Sequence, residues 1–257
     1  LGFVIFERDN KKVLVTPIGE QFLSKAKAIQ LQVDDLMSLT QSRGAVLSHP
    51  MTVGIIPTIC PYILPKVLPE LSAQYPDFQF NVVEEQSAQL IDMLRDGELD
   101  AAILALPYKI DGLLTFEFWK EDLFWISHKE MISHKSDVVT AKELESKRLM
   151  LLKDGHCLKD QALSACRIGS DKAQSLSATS LSTLIQLVIG KVGTTLIPEM
   201  ALEQLVATNP DLVAKRLAEP GPHRRIAFVV RPNYPNLHNV EALMDLFKKQ
   251  LAKTAEH

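Results

Sequence analysis

The apolar positions change period several times along the chain, and each change marks a different kind of element. FVIFER and KVLVT are short apolar-rich runs on either side of Asp9-Asn10, which predicts a β-hairpin. From Pro17 the spacing becomes helical. Phe22, Ala26, Ile29, Val33 and Leu36 recur at intervals of four, three, four and three, so they share one seam of a helix. A lone helix cannot bury such a seam. The pattern therefore predicts a partner helix from a second copy, the alternative being packing on the helix's own domain. SRGAVLSHP then reads as a linker.

From Met51 strands and helices alternate. MTVGIIP, FQFNVVEE and LDAAILALP read as strands. Between them lie a helix from Tyr62 to Tyr75, with Leu64, Val67, Leu68 and Leu71 facing inward, and a helix from Ala88 to Asp96 that stops at Gly97. A βαβαβ order predicts a parallel sheet with right-handed crossovers. LTFEFWKEDLFWIS reads as two strands, Ala141–Ser146 as a helix and RLMLLK as a buried strand. LSATSLSTLIQLVIGKVGTTLIP reads as strand, capped helix, glycine turn and strand. RRIAFVVRP is one more strand, and Asn239–Thr254 is an amphipathic helix. The pattern predicts an α/β protein of two halves, with a late return of the chain to the first.

Composition narrows the function classes. The 257 residues suffice for one large or two medium domains, and 46% hydrophobic with 23% charged residues is an ordinary globular balance. A net charge of -3 gives no whole-protein attraction for nucleic acid or membranes. Only a local basic patch could supply one. Arg8, Lys11 and Lys12 on the hairpin are the candidates. No apolar run reaches the roughly 18–20 residues of a membrane span, and no signal-peptide pattern is visible. The abrupt start at Leu1 reads as a piece of a longer chain. Three cysteines, an odd and low number, point to a reducing, cytoplasmic compartment.

Two of those cysteines stand close together in KDGHCLKDQALSAC, residues 153–166. RLMLLK ends at Lys153 and Asp154-Gly155 supplies a turn, so Cys157 falls at the start of a helix. Unpaired N–H groups and the dipole at that end favour an anion, and His156 or Lys159 nearby would favour it further. The expectation is a lowered thiol pKa and a nucleophilic Cys157. Nine helical residues rise about 13.5 Å, and a disulfide needs Cα atoms within about 6.8 Å. If the segment is helical when reduced, bonding Cys157 to Cys166 requires rearrangement. Two buried structural cysteines remain the alternative. A zinc site lacks further ligands at short spacing, and no local signature supports a papain-like Cys/His enzyme. Cys60 reads as a small core or pocket residue.

GHCLKDQALSAC resembles the redox motif of the OxyR family, the hydrogen-peroxide sensors among the LysR-type transcriptional regulators. The resemblance extends over the chain. LGFVIFERDNKKVLVTPIGEQFL is similar to the wing of a winged helix-turn-helix and the start of its linker helix. GIIPTICPYILP, GELDAAILAL, SATSLSTL, GTTLIP and RRIAFVVRP resemble the effector-domain landmarks. It implies two Rossmann-like subdomains of periplasmic-binding-protein type. The expected division is 1–16 as a remnant of the DNA-binding domain, 17–44 as linker helix, 45–121 with 226–257 as subdomain I, and 122–225 as subdomain II.

The resemblance also implies roles. Cys157 would be the peroxidatic and Cys166 the resolving cysteine. Thr58, Ser87, His156, Asp160 and Arg224 would form the peroxide pocket, with Arg225 as a substitute for Arg224. Ser87 stands where relatives often carry threonine. The implied partners are hydrogen peroxide, promoter DNA, RNA polymerase, a glutaredoxin or thioredoxin as reductant, and further copies in a dimer or tetramer. No cofactor, metal or membrane is implied, and no enzymatic turnover. The rival reading is a LysR-type regulator that binds a small organic effector between the subdomains. A peroxidase-like enzyme is a third.

Overall fold

The structure, a computed structural model, describes residues 2–9, 12–41, 46–132, 136–145, 148–166 and 177–255. The hairpin is present as β1 (Phe6–Asp9) and β2 (Lys12–Val15), antiparallel, with Asp9 opposite Lys12. Asp9, expected in the turn, thus pairs within the ladder, and Asn10 lies outside the described residues. Lys11 lies outside the described residues. Arg8 and Lys12 are exposed. Thr16 joins the hairpin to the helix that follows. Its hydroxyl donates to the Val4 carbonyl at 2.7 Å and accepts from the Gly19 N–H at 3.0 Å, an N-cap ahead of Pro17.

Helix α1 (Pro17–Gln41) lies with one side on the body of the protein. Leu31 covers Gly97, where a Cβ would collide with it, and Asp35 pairs with Arg231 at 3.1 Å. The expected seam points elsewhere. Phe22 and Ala26 are half-buried, but Ile29, Val33 and Leu36 are 64%, 52% and 63% exposed. Packing on its own domain therefore leaves most of the seam uncovered. Ile29→Asp and Val33→Asp should each abolish association through α1, since a charge in an apolar helix interface is strongly unfavourable. The α/β body should stay folded. Sedimentation checks this, and an unchanged mass for both variants would refute the seam.

The body follows in alternation. In chain order come β3 (Met51–Ile55), α2 (Cys60–Gln74), β4 (Phe80–Glu84), α3 (Ser87–Arg95), β5 (Ala101–Leu106) and β6 (Leu114–Glu121). Then come β7 (Leu123–His128), β8 (Val138–Val139), α4 (Ala141–Glu145), β9 (Leu149–Leu152), α5 (Cys157–Cys166), β10 (Ser177–Ala178), α6 (Leu181–Ile189) and β11 (Thr194–Pro198). The chain closes with α7 (Leu202–Leu205), β12 (Leu212–Leu217), β13 (Arg224–Val230) and α8 (Leu237–Ala255).

Among the described residues, the body contains two sheets. One has the order β4-β3-β5-β13-β6 and the other β10-β9-β11-β7-β12-β8. In the first, β4, β3 and β5 are parallel, as the βαβαβ pattern requires, and β13 returns antiparallel between β5 and β6. This is the two-subdomain periplasmic-binding-protein architecture. The chain crosses between sheets at Asp122 and again just before Arg224. The expected boundary at 225/226 falls inside β13, where Arg224 already pairs with Glu121 and Arg225 with Lys120. RRIAFVVRP reads as a strand, and both arginines do belong to it, Arg224 at 1% exposure.

Helix α2 also differs from expectation. It starts at Cys60, and its buried face includes Cys60, Ile63, Val67 and Leu71, while Leu68 is 38% exposed. The run YILPKVLPEL is apolar on more than one side, so its period alone did not fix the inward face. β5 is buried at all six positions, as its unbroken apolar run implies. Phe247 of α8 packs edge-on against Phe118 and Phe228, which are tilted against each other.

Candidate functional site

The carboxyl ends of parallel strands leave a crevice where a doubly wound sheet can present side chains. Here Thr58 follows β3, and Gln86 and Ser87 follow β4 at the start of α3. The second subdomain reaches this crevice through the turn after β9. Gly155 adopts φ +96°, a conformation that favours glycine, and α5 begins two residues later at Cys157. The result is a tight cleft lined by Ile56, Pro57, Thr58, Gln86, Ser87, Gly155, His156 and Cys157. It is too narrow for a water-sized sphere.

Arg224 sits behind Thr58. Its side chain is fully buried and pairs with the buried Glu121 at 2.5 Å. One guanidinium N–H donates to the Thr58 hydroxyl and another to the Thr58 carbonyl, both at 3.2 Å. Glu121 also accepts from the Met200 N–H at 2.9 Å. The charge is thus held rigidly and presented to the cleft through threonine. Arg225, the expected substitute, points the other way along the strand. It is half exposed and pairs with Glu117 at 2.6 Å.

The expectation of a lowered Cys157 pKa is not met in this state. Burial raises it. Against burial act the Arg224 charge, the Ser87 hydroxyl and the backbone N–H groups of Ala105 and of Cys157 itself. The helix start was expected to dominate, but Cys157 is 5% exposed and desolvation wins. The two nearby cations also fail to contribute. Lys159 pairs with Asp154 at 2.5 Å. His156 has its pKa lowered by burial, which favours the neutral ring. Asp160 is exposed and does not line the cleft, because it lies three residues along α5 from Cys157 on the solvent side. Ser87 Oγ is buried without a complete hydrogen bond of its own, so its hydroxyl is available to the sulfur or a ligand.

Cys166 ends the same helix and is fully buried. Burial and the Glu219 charge push its thiol up to about 12. All three cysteines are free. With nine helical steps between them, Cys157 and Cys166 are about 13.5 Å apart along the axis, far beyond disulfide reach. Cys60 begins α2, is buried, and is pushed up to about 12 by burial and Glu84. Cys166 should therefore resist alkylation in the native reduced protein at neutral pH and react once the chain is denatured. Equal labelling of Cys166 in both conditions would contradict its burial.

Three residues of the site were not anticipated. Glu121 fixes Arg224, and a carboxylate at the end of a strand gives no sign of that. Gln86 lines the cleft from α3. Gln161, buried one turn after Cys157, donates to the Leu106 carbonyl of the first subdomain at 3.3 Å. Its spacing from Cys157 was the available signal, since residues four apart share a helix face. Among the described residues no group of three His, Cys, Asp or Glu could hold a metal, and no helix is long and apolar enough to cross a membrane.

Residues 44–252 match the model of the LysR substrate binding domain. The chain is 38% identical over 251 residues to the HTH-type transcriptional regulator EstR of Acinetobacter baylyi, covering 97% of this chain and 83% of that one. It is 36% identical over 233 residues to a probable hydrogen peroxide-inducible genes activator of Streptomyces viridosporus, covering 90% and 75%. A hydrogen-peroxide-bound cysteine mutant of OxyR from Corynebacterium glutamicum superimposes with a TM-score of 0.79 at 32% identity, covering 98% and 80%. A full-length OxyR variant from Pseudomonas aeruginosa gives 0.80 at 29%, covering 96% and 83%. The chain belongs to the LysR-type transcriptional regulators.

Proposed function

We propose that this regulator senses hydrogen peroxide through a Cys157–Cys166 disulfide, as a member of the OxyR group. The observation that carries the reading is the pair of free, buried cysteines at opposite ends of one helix, the first in a cleft with Thr58, Ser87 and His156 and with Arg224 behind it. The Cys157 sulfur attacks one peroxide oxygen, the O–O bond breaks, and water leaves with the thiol proton. The product is a sulfenic acid. The Cys166 sulfur then attacks that sulfur, a second water leaves, and a disulfide forms. Reduction by a glutaredoxin or thioredoxin returns both thiols. Arg224, through Thr58, favours the negative charge that develops on sulfur and on the leaving oxygen.

The switch follows from distance. The disulfide cannot form while α5 is intact, so oxidation must unwind or repack α5; the expected change runs on to about 170, where 167–170 lie outside the described residues. The intact regulator uses this change to alter its dimer or tetramer, its contacts with promoter DNA through a wing carrying Arg8, Lys11 and Lys12, and its engagement of RNA polymerase. The working units are the linker helix, subdomain I at 45–121 and 224–257, and subdomain II at 122–223, in the cytoplasm. Oxidation should speed hydrogen exchange in a contiguous block around α5 while the first sheet hardly changes. Uniform exchange in both states would oppose the switch.

A second reading has one observation in its favour: the relative with 38% identity is named EstR, without reference to peroxide. In it a small organic effector binds between the subdomains and the cysteines are structural. Retained regulation in a Cys157→Ser, Cys166→Ser double variant would favour it.

A further inference from the structure

We infer that Gln86 is a positioning residue that clamps the two subdomains together at the reactive thiol and fixes the tautomer of His156. The inference rests on the peroxide-sensing reading for its effect on rate, but the clamp itself stands on geometry. Gln86 occupies the N-cap position of α3, with φ -68° and ψ 155°, yet its side chain makes no capping hydrogen bond. The amide instead reaches across the cleft, where Nε2 lies 3.3 Å from His156 Nε2. On the other side of the same amide is the turn of the second subdomain. A Cβ on Gly155 would collide with Gln86 Oε1. One side chain from subdomain I thus meets two consecutive residues of subdomain II, directly before Cys157.

Two consequences follow. First, an amide N–H donating to Nε2 requires that nitrogen to be unprotonated, so a neutral His156 carries its proton on Nδ1. Free imidazole side chains prefer the opposite tautomer, so the Nδ1–H form reports the contact. Burial already favours the neutral ring. Second, the glycine at 155 is required twice, by its positive φ and by the amide packed against it. A clamp of this kind holds the cleft closed over the thiol, so that a small reactant enters on a slight parting of the subdomains and a larger one does not.

The test uses the reduced full chain with Gln86→Met, which keeps length and removes the amide, and Gln86→Asn, which supplies a good N-cap but cannot span the cleft. Nitrogen-15 NMR should find His156 in the Nδ1–H form in the parent and shifted toward Nε2–H in both variants. Alkylation of Cys157 by iodoacetamide should rise roughly tenfold, while its reaction with hydrogen peroxide should fall by a similar factor. An unchanged tautomer, or peroxide and iodoacetamide rates that rise together, would overturn the positioning role. A parent protein whose Cys157 ignores peroxide would sink the sensing reading instead, and tautomer and alkylation would still decide the clamp.

Discussion

Cys157→Ser should abolish the fast reaction with hydrogen peroxide, and Cys166→Ser should leave that reaction intact while trapping sulfenic acid on Cys157. The asymmetry follows from position. Cys157 faces the cleft; burial raises its pKa, but the Arg224 charge, the Ser87 hydroxyl and the Ala105 N–H act against that rise. Cys166 is fully buried, away from that cleft, with its thiol pushed up to about 12. Cys157 needs only a slight parting of the closed cleft to meet peroxide, whereas Cys166 lies in the core. The second is needed only after α5 opens. Trapped sulfenic acid is detected by a dimedone-type probe and peroxide loss by stopped flow. If Cys166→Ser loses peroxide reactivity while Cys157→Ser keeps it, the roles are reversed.

Arg224→Met should be the most damaging single change to the fold at the site. It removes one partner of a pair whose side chains are 0% and 1% exposed. Glu121 would remain as a buried carboxylate with the Met200 N–H as its remaining bond. Breaking one side of such a pair costs about 3–5 kcal/mol, whereas replacing both sides is often nearly neutral. Thermal or urea denaturation should therefore show a large loss for Arg224→Met and a partial recovery when Glu121→Gln is added. Peroxide reactivity should not recover in the double variant, because the cation is still missing. Recovery of both together would mean that Arg224 serves the fold alone.

How much of this was legible in the sequence varies by element. β5 and α6 were clear, because a continuous apolar run and a Ser180-capped apolar stretch each have one sensible structure. The start of α5 at Cys157 was also readable, since Asp154-Gly155 ends the preceding strand and frees the chain for a new helix. The inward face of α2 was not, because apolar residues surround that helix and tertiary packing selects among them. The resemblance pointed to Arg224 with Arg225 as a substitute, and the sequence alone did not separate the two. Strand alternation puts them on opposite faces, and only the partner Glu121 decides which face is interior. The sign of the Cys157 shift was missed for a similar reason. The helix start is a local feature, but desolvation depends on the first subdomain closing over the sulfur.

The central claim is a disulfide that forms by dismantling a helix, and peptide mapping tests it most directly. Reduced protein is treated with one equivalent of hydrogen peroxide, quenched with an alkylating agent, denatured, alkylated again and cut with trypsin. Cleavage after Lys153, Lys159 and Arg167 separates DGHCLK from DQALSACR. The account predicts that these two peptides leave the digest joined, lighter than their sum by two hydrogens, and separate on reduction, with Cys60 still alkylated. Peroxide consumed while both peptides remain unlinked and fully alkylatable would contradict it.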